Sequence, residues 1–193
     1  AHGRSGSRRN PDFRGLYWLF DANFDEVVRN PIEEAKMTAK ILVKDRPTAR
    51  VLLVNPADEV FLINTHFDPE LGLEPRWLTP GGGIDEGEGV REAAIRELFE
   101  ETGLKLNDSE LGEVFWQTSG RWDWADGIHY QTYTDTIFLL RINDFVLDDA
   151  HWTPEEHRDI LEARWWKVSE LIASGERVGP HGLADHLGLH LAS

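Results

Sequence analysis

Apolar residues along the chain fall into short blocks whose spacing predicts elements before any chemistry is considered. Two β-rich runs, ARVLLVN (49–55) and EVFLIN (59–64), flank Pro56-Ala57-Asp58, a pattern that predicts a hairpin. A polar stretch (66–75) and RWLT (76–79) lead into Gly81-Gly82-Gly83. Residues 88–102 are strong helix formers without proline, and Gly103 is placed to cap them. At 3.6 residues per turn, Ile95, Leu98, Phe99 and Thr102 share one face. Ala93, Ala94, Glu97, Glu100 and Glu101 fall opposite. Strands are expected at 111–118 and 130–142, the latter alternating Thr132, Thr134 and Thr136 with larger residues. ARWWKV (163–168) reads as a strand with one of Trp165 and Trp166 buried and the other exposed. Residues 169–174 are amphipathic, and LADHL (183–187) has a short helical pattern. Strands on both sides of one long helix predict a mixed α/β sandwich.

The ends carry less pattern. Residues 1–15 read as a flexible arm, and Asn30-Pro31 before Glu33 and Glu34 resembles a helix start. DRPT (45–48) is the expected boundary, so residues 1–45 are an N-terminal extension and 46–193 the folded domain.

Composition narrows the function. A length of 193 residues suits one domain with a full core. The apolar runs are far too short to span a membrane, so no membrane partner is expected. With no cysteine, disulfides and thiolate metal sites are excluded, and the expected location is the cytoplasm. Twenty basic against 35 acidic residues give a net charge of −15. So acidic a chain repels long nucleic acid, and the only basic cluster is Arg4, Arg8 and Arg9 in a Gly/Ser-rich end. A small phosphorylated ligand stays compatible, because a divalent metal reverses the local field.

The acid is concentrated. PGGGIDEGEGVREAAIRELFEETGL (80–104) holds seven acidic residues against Arg91 and Arg96. Glu97, Glu100 and Glu101 stand at i, i+3 and i+4, where like charges cost roughly 0.2–0.5 kcal/mol per pair. The negative end of the helix dipole adds to that cost. A solvated acidic face is one reading, and a bound Mg²⁺ relieving the repulsion is the other. The preceding glycines favour the second, since they let backbone approach a phosphate or metal closely.

Gly82, five residues, Glu88, seven residues and then Arg96-Glu97-Leu98-Phe99-Glu100-Glu101-Thr102-Gly103-Leu104 form a complete Nudix box. On these residues the chain resembles the Nudix hydrolases, and it is similar to their MutT-like members. The likeness spans about residues 50–172. It implies an α/β/α sandwich with a mixed sheet and a catalytic loop–helix–loop. It further implies hydrolysis of a pyrophosphate bond in a nucleoside diphosphate linked to another moiety, with Mg²⁺ or Mn²⁺. Carried over, Glu97, Glu100 and Glu101 are metal ligands and Gly82 offers its carbonyl. Arg96 orients the glutamates, and Glu88 is its ion-pair partner. The general base in this family is either the glutamate at Glu97 or a later carboxylate; here Asp149, Glu155, Glu156 and Glu162 are available, with Glu156 and Glu162 ranked first.

For substrate contacts, Arg121, Trp122 and Trp124 in SGRWDWADG (119–127) could supply a base platform, and Trp152 and His66 also lie in polar loops. His186 and His190 stand at i, i+4 but lack a third ligand, so an exposed helix end explains them better. Marks of the ADP-ribose, diadenosine polyphosphate, coenzyme A and NADH subclasses are missing, which leaves a nucleoside triphosphate or related nucleotide. ADP-ribose, a nucleotide sugar or a dinucleoside polyphosphate is the alternative substrate, and a nucleotide-sensing module the alternative to an enzyme. Homodimers are frequent among such proteins.

Overall fold

Pairing of β1 (Ile41–Val54) with three partners organises the molecule. The structure is a computed structural model that describes residues 40–66, 74–123 and 128–191. The extension to residue 39, its helix start at Asn30-Pro31, and Trp124 lie outside the described residues, as does the side chain of Trp122. After β1 come β2 (Glu59–Thr65), β3 (Arg76–Leu78), β4 (Gly81–Gly83) and the helix α1 (Val90–Thr102). A 3-10 turn (Asp108–Glu110) then precedes β5 (Val114–Asp123) and β6 (His129–Arg141). The chain continues through α2 (Pro154–Asp159), β7 (Ile160–Lys167), α3 (Val168–Ser174), β8 (Val178–Gly179) and α4 (Leu183–His190). The boundary expected at residue 45 falls inside β1, which begins four residues earlier.

The expected hairpin is present. Leu53 pairs with Phe61 and Val54 with Val60. Asn55 makes the turn: its Oδ1 accepts from the Ala57 N–H at 3.0 Å and the Glu59 N–H at 2.9 Å, while Asp58 takes a φ of 57°. The sheet runs β5-β6-β1-β2-β3-β8, with β4 also paired to β1 and β7 to β2. β1 lies parallel to β6, and the remaining β1 pairs are antiparallel.

Because both faces of the sheet are covered, the central strands are apolar without alternation. Ala49, Val51, Leu53, Phe61, Ile63, Phe138 and Leu140 pack under Ala93, Ala94 and Leu98 of α1. Leu52, Val54, Val60, Leu62, Trp77 and Ile137 face Val168, Leu171, Leu183 and Leu187. This is the α/β/α sandwich with a mixed sheet.

Two expectations about faces are corrected. Ala93 and Ala94 point into the core, whereas Ile95 and Phe99 are half-buried at its margin; the small side chains let α1 lie close on the sheet. Neither tryptophan of β7 is exposed, because Trp166 packs in one layer and the half-buried Trp165 in the other. His186 is no free helix end either, since its ring stacks on Trp116 at 4.8 Å. Among the described residues no helix is long and apolar enough to cross a membrane.

Candidate active site

The site is built where a strand made only of glycine lies between β1 and α1. β4 pairs Gly81 with Arg50, Gly82 with Ala49 and Gly83 with Thr48. Gly81 has a φ of 137°, and a Cβ there would stand 2.3 Å from the Ala49 carbonyl oxygen. A Cβ on Gly82 would fall 2.6 Å from Glu97 Oε2. A side chain at the first position would meet backbone, and one at the second would displace a carboxylate.

α1 begins at its N-cap Gly89, whose N–H is bonded to the Glu92 carboxylate at 2.8 Å, and ends on Gly103 at a φ of 76° as expected. From this helix Arg96 reaches the residues that the sequence had grouped. Its Nε and Nη2 donate to the two oxygens of Glu88 at 2.8 and 2.9 Å, and Nη2 also donates to the Gly83 carbonyl at 2.9 Å. Nη1 donates to Glu97 Oε1 at 2.8 Å and to Glu100 Oε2 at 3.0 Å. The Arg96 hydrogen bonds, opposed by partial burial and helped by the Asp85 N–H, hold Glu88 down to about 2.

The three glutamates do not stand as equals. The Glu97 side chain keeps 14% of its exposure and the Glu100 side chain 42%. Burial is the main influence on Glu97 and raises its pKa against the pull of Arg96. Loss of hydration pushes Glu101 up to about 8, helped by the charge of Glu97, although Glu101 Oε2 accepts the Gly81 N–H at 2.7 Å. Among the described residues no three His, Cys, Asp or Glu side chains are gathered into a cage. Within this group Glu97 and Glu100 share Arg96 Nη1, Glu97 also lies against Gly82, and Glu101 is bonded to the Gly81 N–H. What the site offers is an open edge of carboxylate and carbonyl oxygen, a donor set that suits a hard divalent cation.

A second arginine, missed in the sequence, grips the other end of β4. Arg50 is buried, and its Nη1 donates to the carbonyls of Thr79 at 3.0 Å and Gly81 at 2.9 Å. Its Nε donates to Asp135 Oδ1 at 3.1 Å, and the Thr48 hydroxyl donates to the same oxygen. The signal lay in two charged residues, Arg50 and Asp135, set within otherwise strand-like runs, where an unpaired charge would be prohibitive.

The remaining expected residues are distributed unevenly. Glu156 is close enough for its charge to raise Glu101 further, yet its carboxylate caps α2 by accepting the Thr153 N–H at 2.6 Å. Glu162 is exposed on β7 and pairs with Arg164 at 3.3 Å. Trp152 is no base platform: its Nε1 donates to the Glu101 carbonyl at 2.9 Å and ties the loop before α2 to the end of α1. His66 follows β2, half-buried, with its N–H bonded to the Asp159 carbonyl at 2.6 Å. Arg121 is turned away onto Asp123 at 2.9 Å and over the Tyr130 ring at 4.8 Å.

A family model for the NUDIX domain matches residues 44–184. An RNA pyrophosphohydrolase of Cereibacter sphaeroides is 46% identical over 139 residues, covering 67% of this chain and 80% of the relative. Diphosphoinositol polyphosphate phosphohydrolase 3-alpha of Mus musculus is 32% identical over 116 residues, 60% of this chain and 58% of that protein. Among solved structures, a MutT protein from Methanosarcina mazei superimposes with a TM-score of 0.55 at 17% identity, covering 77% of this chain and 95% of that one.

Proposed function

The chain belongs to the NUDIX family and is a pyrophosphate-bond hydrolase, and from that premise we propose that it acts on a nucleotide carrying a 5′-triphosphate or a related diphosphate linkage. In this reading Glu97, Glu100 and Glu101, with the Gly82 carbonyl, hold Mg²⁺ or Mn²⁺. The observation that carries it is the Arg96 hub, which fixes Glu88, Glu97, Glu100 and the Gly83 carbonyl at once beside a strand with no side chains. When bound, the cation neutralises phosphate oxygens and lowers the pKa of a coordinated water.

The protein's part is positioning and proton transfer. Glu97 accepts the proton of the attacking water. Arg96 keeps its orientation. Glu156 and Glu162 act less directly, the first because it caps α2 and the second because it faces Arg164 and solvent. Phosphoryl substitution depends chiefly on placement and charge, so no covalent nucleophile is required.

A net charge of −15 favours a small nucleotide over a long polymer. The similarity to an RNA pyrophosphohydrolase supports a second reading, in which the triphosphate is the 5′ end of an RNA. Turnover of nucleoside triphosphates, ADP-ribose, dinucleoside polyphosphates and a 5′-triphosphorylated oligoribonucleotide, with products resolved by mass, separates the two. Absence of Mg²⁺-dependent cleavage across that panel, or equal rates for wild type and Glu97→Gln, overturns the proposal.

A further inference from the structure

One buried group has no protein partner and is not used by the chemistry above. Gln131 in β6 is 1% exposed, and both its Oε1 and its Nε2 lack a hydrogen-bond partner. A buried primary amide left in that state is costly, and an external group that satisfies donor and acceptor together would relieve the cost.

Its position connects it to the site. In β6, Gln131, Tyr133, Asp135 and Ile137 alternate onto one face, since Ile137 belongs to the layer opposite α1. Tyr133 pairs with Arg46, Asp135 with Thr48 and Ile137 with Arg50. One half of this face is therefore apolar, and the half that adjoins the glycine strand is polar although buried. Within that polar half, Thr48, Arg50 and Asp135 satisfy one another; Gln131 alone among these does not. Tyr133 is laid across the neighbouring strand, where a Cβ on Gly120 would stand 2.3 Å from its hydroxyl oxygen. Glycine at position 120 is thus what lets the Tyr133 ring lie across β5, two positions along the same face from Gln131.

Resting on the nucleotide-hydrolysing reading, we propose that Gln131 reads the edge of the substrate's nucleobase, with Tyr133 beside it as an aromatic floor. A carboxamide presents one donor and one acceptor side by side, which is the pattern a base edge complements. From Gln131 to Asp135 the strand advances roughly 13 Å. Asp135 is joined through Arg50 to the Gly81 carbonyl, so the polar strip runs from Gln131 to the strand whose Gly82 carbonyl is given above to the metal. An inositol polyphosphate has no such edge, and the orphaned amide thereby favours a nucleotide over the phosphoinositol chemistry named for one relative.

The test is calorimetric titration of the full chain, Mg²⁺ present, with the four nucleoside 5′-monophosphates and with ribose 5-phosphate as a base-free probe. The wild type is expected to separate its best from its worst base by about tenfold or more. Gln131→Leu is expected to bring all four within about twofold, to leave ribose 5-phosphate unchanged, and to melt no lower than wild type, since an apolar group replaces an unpartnered amide. Gln131→Met serves the same purpose if the leucine variant does not fold. Equal binding of all bases by the wild type, retention of the base order in both variants, or parallel loss of ribose 5-phosphate binding overturns the proposal. If bases are discriminated through Gln131 while no triphosphate is cleaved, the hydrolysis reading fails and this one stands.

Discussion

Two arginines grip the two ends of one glycine strand, and they do so by opposite means. Arg96 is partly exposed and spreads its guanidinium over three carboxylates and the Gly83 carbonyl. Arg50 is sealed in the sheet with a single carboxylate, Asp135, and holds the carbonyls of Thr79 and Gly81. The first arrangement tunes charged groups in reach of solvent. The second fixes backbone where water cannot relax an error. In the proposed reading Arg96 serves catalysis, whereas Arg50 serves the integrity of the fold.

The largest effect that would test this contrast is on stability. Arg50→Ala leaves Asp135 buried and unpaired and is expected to cost about 3–5 kcal/mol in chemical denaturation. Arg96→Ala, with water able to replace it, is expected to cost only about 1 kcal/mol. Equal losses would end the distinction. For turnover the order reverses: Arg96→Ala is expected to lower kcat by about 10²-fold at saturating Mg²⁺, because Glu97 loses its fixed orientation. The glycines repeat the pattern on a smaller scale. Gly81→Ala meets the Ala49 backbone and carries a strained φ, so about 1–3 kcal/mol of stability is lost. Gly82→Ala meets only the Glu97 carboxylate and is expected to lower kcat about tenfold, while its melting temperature stays near wild type.

Acid and base titration give the sharpest version. Glu88, at the Arg96 end, sits at about 2 when folded, below its ordinary 4.5. Its contribution is complete above pH 4.5 and is lost as pH falls toward 2. Glu101, bonded to the Gly81 N–H, is raised to about 8, so the folded state favours its protonated form. Without metal, its penalty is absent below pH 4.5 and grows as pH climbs to 8. Melting temperature against pH in chelator should therefore show slopes of opposite sign in the two ranges. Arg96→Ala should flatten the acidic one, and Glu101→Gln the other. A single monotonic profile unaffected by either variant would contradict both assignments.

The same contrast explains what could be read from the chain unaided. The Arg96 group was legible because its members lie within 23 consecutive residues, and helical spacing alone brings Arg96, Glu97 and Glu100 together. The hairpin at Asn55 was legible for the same local reason. Arg50 and Asp135 are 85 positions apart and meet only because β1 runs parallel to β6, a pairing that no short-range pattern announces. The spacing that groups Ile95, Leu98, Phe99 and Thr102 places the alanines of α1 opposite, whereas close approach to a sheet selects small side chains and buries them. Glu101 is held by the Gly81 N–H, and Glu97 by Arg96 against Gly82. Arg121 carried no local sign that Asp123 and Tyr130 would claim it.

The outer edge of β1 is shared, its last residues joining β2 and its middle joining β4, while the other edge meets β6 along the whole length. Such a strand works as a ruler. Replacing one letter of it alters one contact, but inserting or deleting a letter would slide hairpin, glycines and Asp135 out of step together. Among descendants of this chain, length within residues 48–54 should therefore be inherited far more faithfully than identity.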